Sequence, residues 1–355
     1  MKDRKNPPAP DDGEPFSSEA LNEALRPMLE PLGLGLRTAG EADERAAALL
    51  PMVGSEDVSG MLVRPSMRAQ PGEDRDYLPE EAVEWVFDVH LPGTVSATRV
   101  NEAFGDEWRE RFGHVCLYGH SPDENSWTFV NTSDAPERFD ALLVPIDLSP
   151  SSDDVSLSSL QHKAKGVASA AAELGGYAKP RIDVEMAVAQ ATRIAQVYDR
   201  YEEERVRIVL AADGDDLFDG EQIWDVMSCL GLRWGDMDLF HWENRDQSHG
   251  DDHLFSVETS SGEGYFLPEE IAAGETHVED LVFSFGIPRN ADPLITYSAM
   301  VAAARYAQQR LGGTLYGSDG EPLDVERETA RVRACVDELT SAGFPPGEDR
   351  TLQLL

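Results

Sequence analysis

The run His249-Gly250-Asp251-Asp252-His253, with His241 a short way upstream, holds the imidazole nitrogens and carboxylates that ligate zinc. A zinc site wants three or four donors fixed in a tetrahedron, usually on ordered elements. Here residues 249–252 fall in a polar hairpin loop between two strands, so the pattern reads as a solvated turn. Asp213-Gly214-Asp215-Asp216-Leu217-Phe218-Asp219-Gly220-Glu221 has the acid density of a calcium loop. Its fifth and sixth positions are Leu217 and Phe218, where an EF-hand needs a ligand and a glycine, and the match fails. Asp219 instead reads as the cap of a following helix, with Glu221 near the positive helix end. Gly262-Glu263-Gly264 lacks the third glycine of a dinucleotide loop, and neither a Gly-x-x-x-x-Gly-Lys-Ser/Thr nor a Gly-x-Ser-x-Gly run occurs. Cys116, Cys229 and Cys335 lie far apart, which fits a reducing compartment; Cys116 and Cys229 sit in apolar segments, as inert core thiols do. The residue types imply no cofactor, no metal and no enzyme centre. A hydrolase built on the histidine-aspartate loop is the residual catalytic reading.

The elements around these residues are of mixed type. Residues 1–80 hold 10 of the chain's 22 prolines and read as a linker or loosely docked arm, with one short helix over 18–34. From residue 81 the pattern predicts a strand over 85–91, a helix over 99–111, and short strands over 115–118, 127–130 and 141–144. Long helices over 156–174 and 183–203 follow. The first carries Leu157, Leu160, Ala164, Val167, Ala171 and Leu174 on one face and stops at Gly175-Gly176. The hairpin-like spacings leave no room for crossover helices, so the class is α+β with antiparallel sheets.

The same order then restarts, with a strand over 207–211, a helix over 220–230 and strands over 236–241, 253–258 and 281–287. Helices over 293–311 and from 324 complete it. Leu174-Gly175-Gly176 sits over Leu311-Gly312-Gly313, and Asp183-Val184-Glu185 over Asp324-Val325-Glu326. Phe112-Gly113-His114-Val115-Cys116-Leu117-Tyr118 sits over Trp234-Gly235-Asp236-Met237-Asp238-Leu239-Phe240, and Phe129 over Phe255. Indels confined to loops are what a duplicated domain shows. The expected organisation is an arm over 1–80 and two tandem copies of a split β-α-β type domain, over 81–204 and 205–347. Each copy is an antiparallel sheet with helices packed on one face.

With 67 acidic and 30 basic residues the formal charge is -37. That excludes electrostatic wrapping of nucleic acid and polybasic docking on anionic lipid. Only five bases are lysines. Dispersed acid with little lysine reads as salt adaptation, the rival being a surface that mimics nucleic acid or attracts a basic partner. No run of 18 uncharged apolar residues is present and the N-terminus lacks an apolar signal region, so the expectation is a cytoplasmic protein without direct membrane insertion.

Gly235-Asp236-Met237-Asp238-Leu239-Phe240-His241, His253-Leu254-Phe255-Ser256-Val257, Leu281-Val282-Phe283-Ser284-Phe285-Gly286-Ile287-Pro288 and the Gly312-Gly313 helix end come in the order of one family. Residues 205–343 resemble the C-terminal FtsZ-binding domain of ZipA proteins. The resemblance implies a sheet with helices on one side and a shallow apolar groove on the other, which takes the C-terminal tail of FtsZ and performs no catalysis. It also implies recruitment to the division site at the inner membrane face, and allows another divisome protein as partner. Strand alternation puts Arg205, Arg207, Val209, Leu254, Ser256, Glu258, Val282 and Ser284 on the open face, and Met237, Leu239, Leu254 and Val282 keep some apolar floor there. Arginines, Glu258 and serines stand where the family places apolar groove residues, which implies weaker apolar contact or more charge pairing. Two modules on one chain would add avidity on a filament. The alternative is a scaffold or self-association protein on the same fold that has lost FtsZ binding.

Overall fold

The computed structural model describes residues 27–34, 78–113, 115–132, 135–150, 154–244 and 250–355. They fall into two compact units. One comprises Pro71–Glu202 with Ala342–Phe344 and Asp349–Leu355; the other comprises Glu203–Ser341 with Pro345–Glu348 and the described N-terminal piece. Of the expected arm only 27–34 and 78–80 are described, and there Leu29 and Leu34 are buried. Residues 18–26 of the expected short helix lie outside the described residues.

The first unit runs β1 (Glu84–Ser96), α1 (Ala97–Ala103), α2 (Asp106–Phe112), β2 (Tyr118–Ser121), β3 (Ser126–Phe129), β4 (Arg138–Asp147), α3 (Leu157–Glu173), β5 (Tyr177–Pro180) and α4 (Val184–Tyr201). Its sheet has the order β3-β2-β4-β1-β5 with every pairing antiparallel. The single helix expected over 99–111 is two, parted at Gly105, which is the N-cap of α2. The break lets the Trp108 indole donate to the Gly166 carbonyl on α3 at 3.1 Å. Along α3, Leu160, Val167 and Ala171 are buried as the periodicity requires, whereas Leu157 in the first turn is exposed. Cys116 is exposed as well, a departure from the core thiol expected. The strand begins three residues later than the apolar run suggests, which leaves Cys116 on the lead-in; Cys229 and Cys335 are buried.

The second unit runs β6 (Arg205–Ala211), β7 (Phe218–Asp219), α5 (Gly220–Cys229), β8 (Arg233–Trp234), β9 (Phe240–Glu243), β10 (His253–Glu258), α6 (Pro268–Ala272), β11 (His277–Val278), β12 (Asp280–Gly286), α7 (Pro293–Leu311), β13 (Thr314–Tyr316) and α8 (Val325–Ala342). A further helix, α9 (Asp349–Leu354), groups with the first unit. The main sheet has the order β13-β6-β12-β10-β9-β8, again antiparallel throughout, and β7 pairs with β11 alone. Ile208, Phe283, Val257 and Phe240 form one buried cross-strand row facing the helices. Fully burying side chains of this size contributes about 1.5–3 kcal/mol each.

Both units are α+β, and both send a long helix back to a short strand beside their first strand. The order differs at the hairpin. β2, the earlier strand of its pair, lies beside β4, whereas β10, the later of its pair, lies beside β12. Tyr118 and Phe240, matched in sequence, therefore occupy different places: Tyr118 pairs with Leu143 on β4, and Phe240 pairs with Val257 one strand farther out.

Candidate functional site

Strand β6 alternates strictly. Val206, Ile208 and Leu210 are buried, Arg205 and Arg207 are exposed, and Val209 is half-buried. Register carries that alternation across the sheet as three rows on the face away from the core. Tyr316, Val209, Val282 and Glu258 make the first row, and Leu239 directly precedes β9 beside it. Arg207, Ser284, Ser256 and His241 make the second. Arg205 stands opposite Gly286 in the third. Rows on one face lie about 7 Å apart, and strands about 5 Å. The face is thus graded, from an apolar strip interrupted by Glu258, through hydroxyls, to charge.

Individual contacts sharpen this. The Arg205 guanidinium donates to the Ser284 hydroxyl at 3.3 Å. The Arg207 amide donates to the Ser318 hydroxyl at 3.0 Å, so Ser318 extends the β13 edge that Tyr316 ends. Ser284 and Val282 are themselves buried at 3% and 8% exposure, so they form the floor and not the rim.

Leu254 is the one residue of the expected face that the structure removes from it. The strand register slips between His253 and Phe255, and this bulge reverses the alternation. Leu254 is buried at 3%, with its carbonyl accepting from the buried Asn290 amide at 2.9 Å. His253 takes the open side instead and stacks on His241 at 3.9 Å between ring centroids.

His241 explains why a histidine closes the Gly235-to-His241 run. Its Nε2 lies 2.7 Å from the Asp236 carbonyl, which can only accept, so Nε2 carries the proton and Nδ1 accepts from the Ser256 hydroxyl at 2.8 Å. Burial pushes the imidazole below its ordinary value, and His253 pushes the same way against the Asp236 contact. The neutral ring pins a tight turn over Asp236–Asp238 in which Met237 has φ 56° and ψ 19°. Left-handed backbone is unfavourable for a side-chain-bearing residue. Here it presents Met237 at 75% exposure, the highest among the exposed large hydrophobics of the described residues.

Comparison with known proteins meets this geometry. Residues 204–334, less than half of the chain, match the model of the family described as ZipA, C-terminal FtsZ-binding domain. The second unit resembles that domain. The chain is 30% identical over 129 residues to the cell division protein ZipA of Shewanella loihica, covering 36% of this chain and 37% of that protein. It is 33% identical over 113 residues to the ZipA of Ectopseudomonas mendocina, covering 32% and 40%. It is 35% identical over 85 residues to a Pseudomonas putida ZipA, covering 24% and 28%. The chain therefore spans well under half the length of the curated ZipA relatives it matches.

The ZipA-like unit accounts for the histidine-aspartate loop as well. His253 and His241 are stacked rings, and Asp251 is held by Arg289 through two-pronged contacts of 2.7–2.9 Å. His249 lies outside the described residues. Asp219 caps α5 by accepting from the Gln222 amide at 3.1 Å, which is the capping role its position implies. Among the described residues no three histidine, cysteine or carboxylate side chains are placed to share a metal ion, and no helix is long and apolar enough to cross a membrane. Sequence reasoning missed Tyr316, His241 and His253 as members of the face. The three-residue strand of Tyr316 has no periodicity to read, and His253 was hidden by the bulge.

The first unit's sheet differs on its corresponding face. Val86, Leu143 and Tyr118 form a small buried cluster there, with Trp127 and Phe129 packed against it.

Proposed function

We propose that the second unit docks the C-terminal tail of FtsZ across its open sheet face, and that the chain acts as a cell-division adaptor tuning septal ring assembly. The observation that carries this reading is the strip of Met237, Leu239, Val282, Val209 and Tyr316 on the face of the sheet away from the buried row of Ile208, Phe283, Val257 and Phe240. A peptide of about six extended residues spans the roughly 20 Å from β9 to β13. Apolar anchors supply affinity in such recognition, and no bond is made or broken. Recruitment to the division site follows from the partner under this reading.

The charges on the face favour a second reading. Arg205, Arg207 and Glu258 interrupt the apolar surface, as expected of a scaffold or self-association protein that has lost FtsZ binding. One titration separates the two: the full chain against a labelled C-terminal tail peptide of the same organism's FtsZ, at low and at molar salt. Saturable binding that Met237→Glu abolishes supports tail docking. Absence of binding under both conditions supports the scaffold.

A further inference from the structure

Arg205 and Arg207 are spaced two apart on β6, which places both side chains on the open face with their backbones about 7 Å apart. Several other described arginines are paired with acid. Arg289 binds Asp251, Arg331 binds Glu204 and Glu328, and Arg181 binds Asp88 and Glu81. No described carboxylate lies within ion-pair distance of either Arg205 or Arg207. The hydroxyl of Ser284 is the one described side-chain partner of the Arg205 guanidinium. In a chain of charge -37, these two adjacent cations on a solvent-facing sheet have no carboxylate partner among the described residues, unlike Arg289 and Arg331.

The surroundings give the size and charge of what fits. Arg205, Ser256, Ser284 and His253 line a recess of about 250 Å³ together with Asp236, Asp252 and the Asp251–Arg289 pair. The acids in its wall repel a run of negative charge, so the recess suits at most one carboxylate. Beside it, one row along the strands, lies the apolar strip of Val209 and Val282. The overall negative field opposes nucleic acid and anionic lipid, which leaves a peptide as the occupant that matches both the local cation pair and the neighbouring strip.

We infer that Arg205 and Arg207 form a carboxylate-recognition subsite of the docking face, engaging a single Asp or Glu side chain of a peptide whose neighbouring apolar residues lie over Val209 and Val282. This inference rests on the tail-docking reading. It adds to that reading a fixed orientation of the peptide, with its acidic residue toward Arg205 and its apolar residues toward Tyr316. Arginine suits the role because its planar fork meets a carboxylate with two parallel donors.

The test is a cycle using the full chain and the labelled FtsZ tail peptide, with a second peptide in which each Asp and Glu is replaced by Asn or Gln. The protein variant is Arg205→Gln with Arg207→Gln. Because both side chains are exposed, the variant keeps the wild-type thermal transition. The expected result is about tenfold weaker binding when either side of the contact is neutralised, with little further loss when both are. Should the variant disturb folding, the peptide substitutions alone on wild-type protein read the same contact. Binding by wild type that changes less than twofold on both neutralisations, or losses that simply add, overturns the subsite and leaves tail docking standing. No binding of either peptide to wild type overturns tail docking itself, and the subsite with it.

Discussion

A Cβ placed on Gly313 would collide with the carbonyl oxygen of Ala211, the last residue of β6. Gly313 also has φ +89°, so both space and backbone demand glycine here. At this point the chain leaving α7 turns to lay β13 along β6, which brings Tyr316 beside Val209 on the open face. Gly176 stands in the same relation to the His90 carbonyl of β1 in the first unit. Gly313→Ala is expected to destabilise the second unit by about 3 kcal/mol, since the obstructing atom is backbone and cannot rotate away. Urea unfolding followed by intrinsic fluorescence reads this as a lower midpoint for one transition. An unchanged midpoint would contradict the account.

That relationship also shows what sequence can and cannot carry. The Gly-Gly pairs were visible because they end long apolar periodicities, and Asp183 and Asp324 were visible because each precedes one; both accept from helical amides, at 2.8 and 3.1 Å. Strict alternation in β6 placed Arg205, Arg207 and Val209 without ambiguity. β5 and β13 were not legible, since strands of four and three residues owe their existence to the free edge of an earlier strand. Nor was the bulge that buries Leu254, because a register slip is decided by the partner strand. The break at Gly105 hid inside a helical pattern that one glycine does not end by itself.

Met237 allows stability and binding to be pulled apart. Replacing it by glycine relieves the left-handed strain at that position while adding unfolded-state entropy, for a net stabilisation of about 0.5 kcal/mol. The same change removes the most exposed apolar side chain of the proposed docking face. Met237→Gly is expected to raise the melting temperature by about a degree or two and weaken tail-peptide binding about fivefold. Calorimetry and fluorescence anisotropy on one preparation check both. Unaltered affinity would remove Met237 from the docking face.

His241 makes the second unit sensitive to acid. Its folded-state value is depressed, chiefly by burial, so below about 6.5 the unfolded chain binds a proton that the folded chain resists. The stability this position supplies is complete above the unfolded value and declines as pH falls through the folded one. Comparing unfolding midpoints between pH 7.5 and 5.5, the wild type should lose more than His241→Gln does. Equal slopes would mean that the ring is not held neutral by the fold.

Glu84 predicts the opposite sign in the first unit. It faces Asp147 directly across β1 and β4, and its carboxylate accepts from the Glu80 amide at 2.6 Å. Burial raises its value from 4.5 to about 7, against the Glu80 amide contact and with smaller repulsion from Asp147 and Glu80. The folded state therefore keeps a proton that the unfolded state releases near 4.5, and this contribution to stability is lost as pH rises toward and through 7. The loss is on the order of 3 kcal/mol once the group is ionised in both states. Glu84→Gln keeps an oxygen for the Glu80 amide and carries no charge, so it should gain on wild type as pH rises from 5.5 to 8.5 and plateau above 7. A difference that stays flat across that range would show that Glu84 titrates in the folded protein as it does in water.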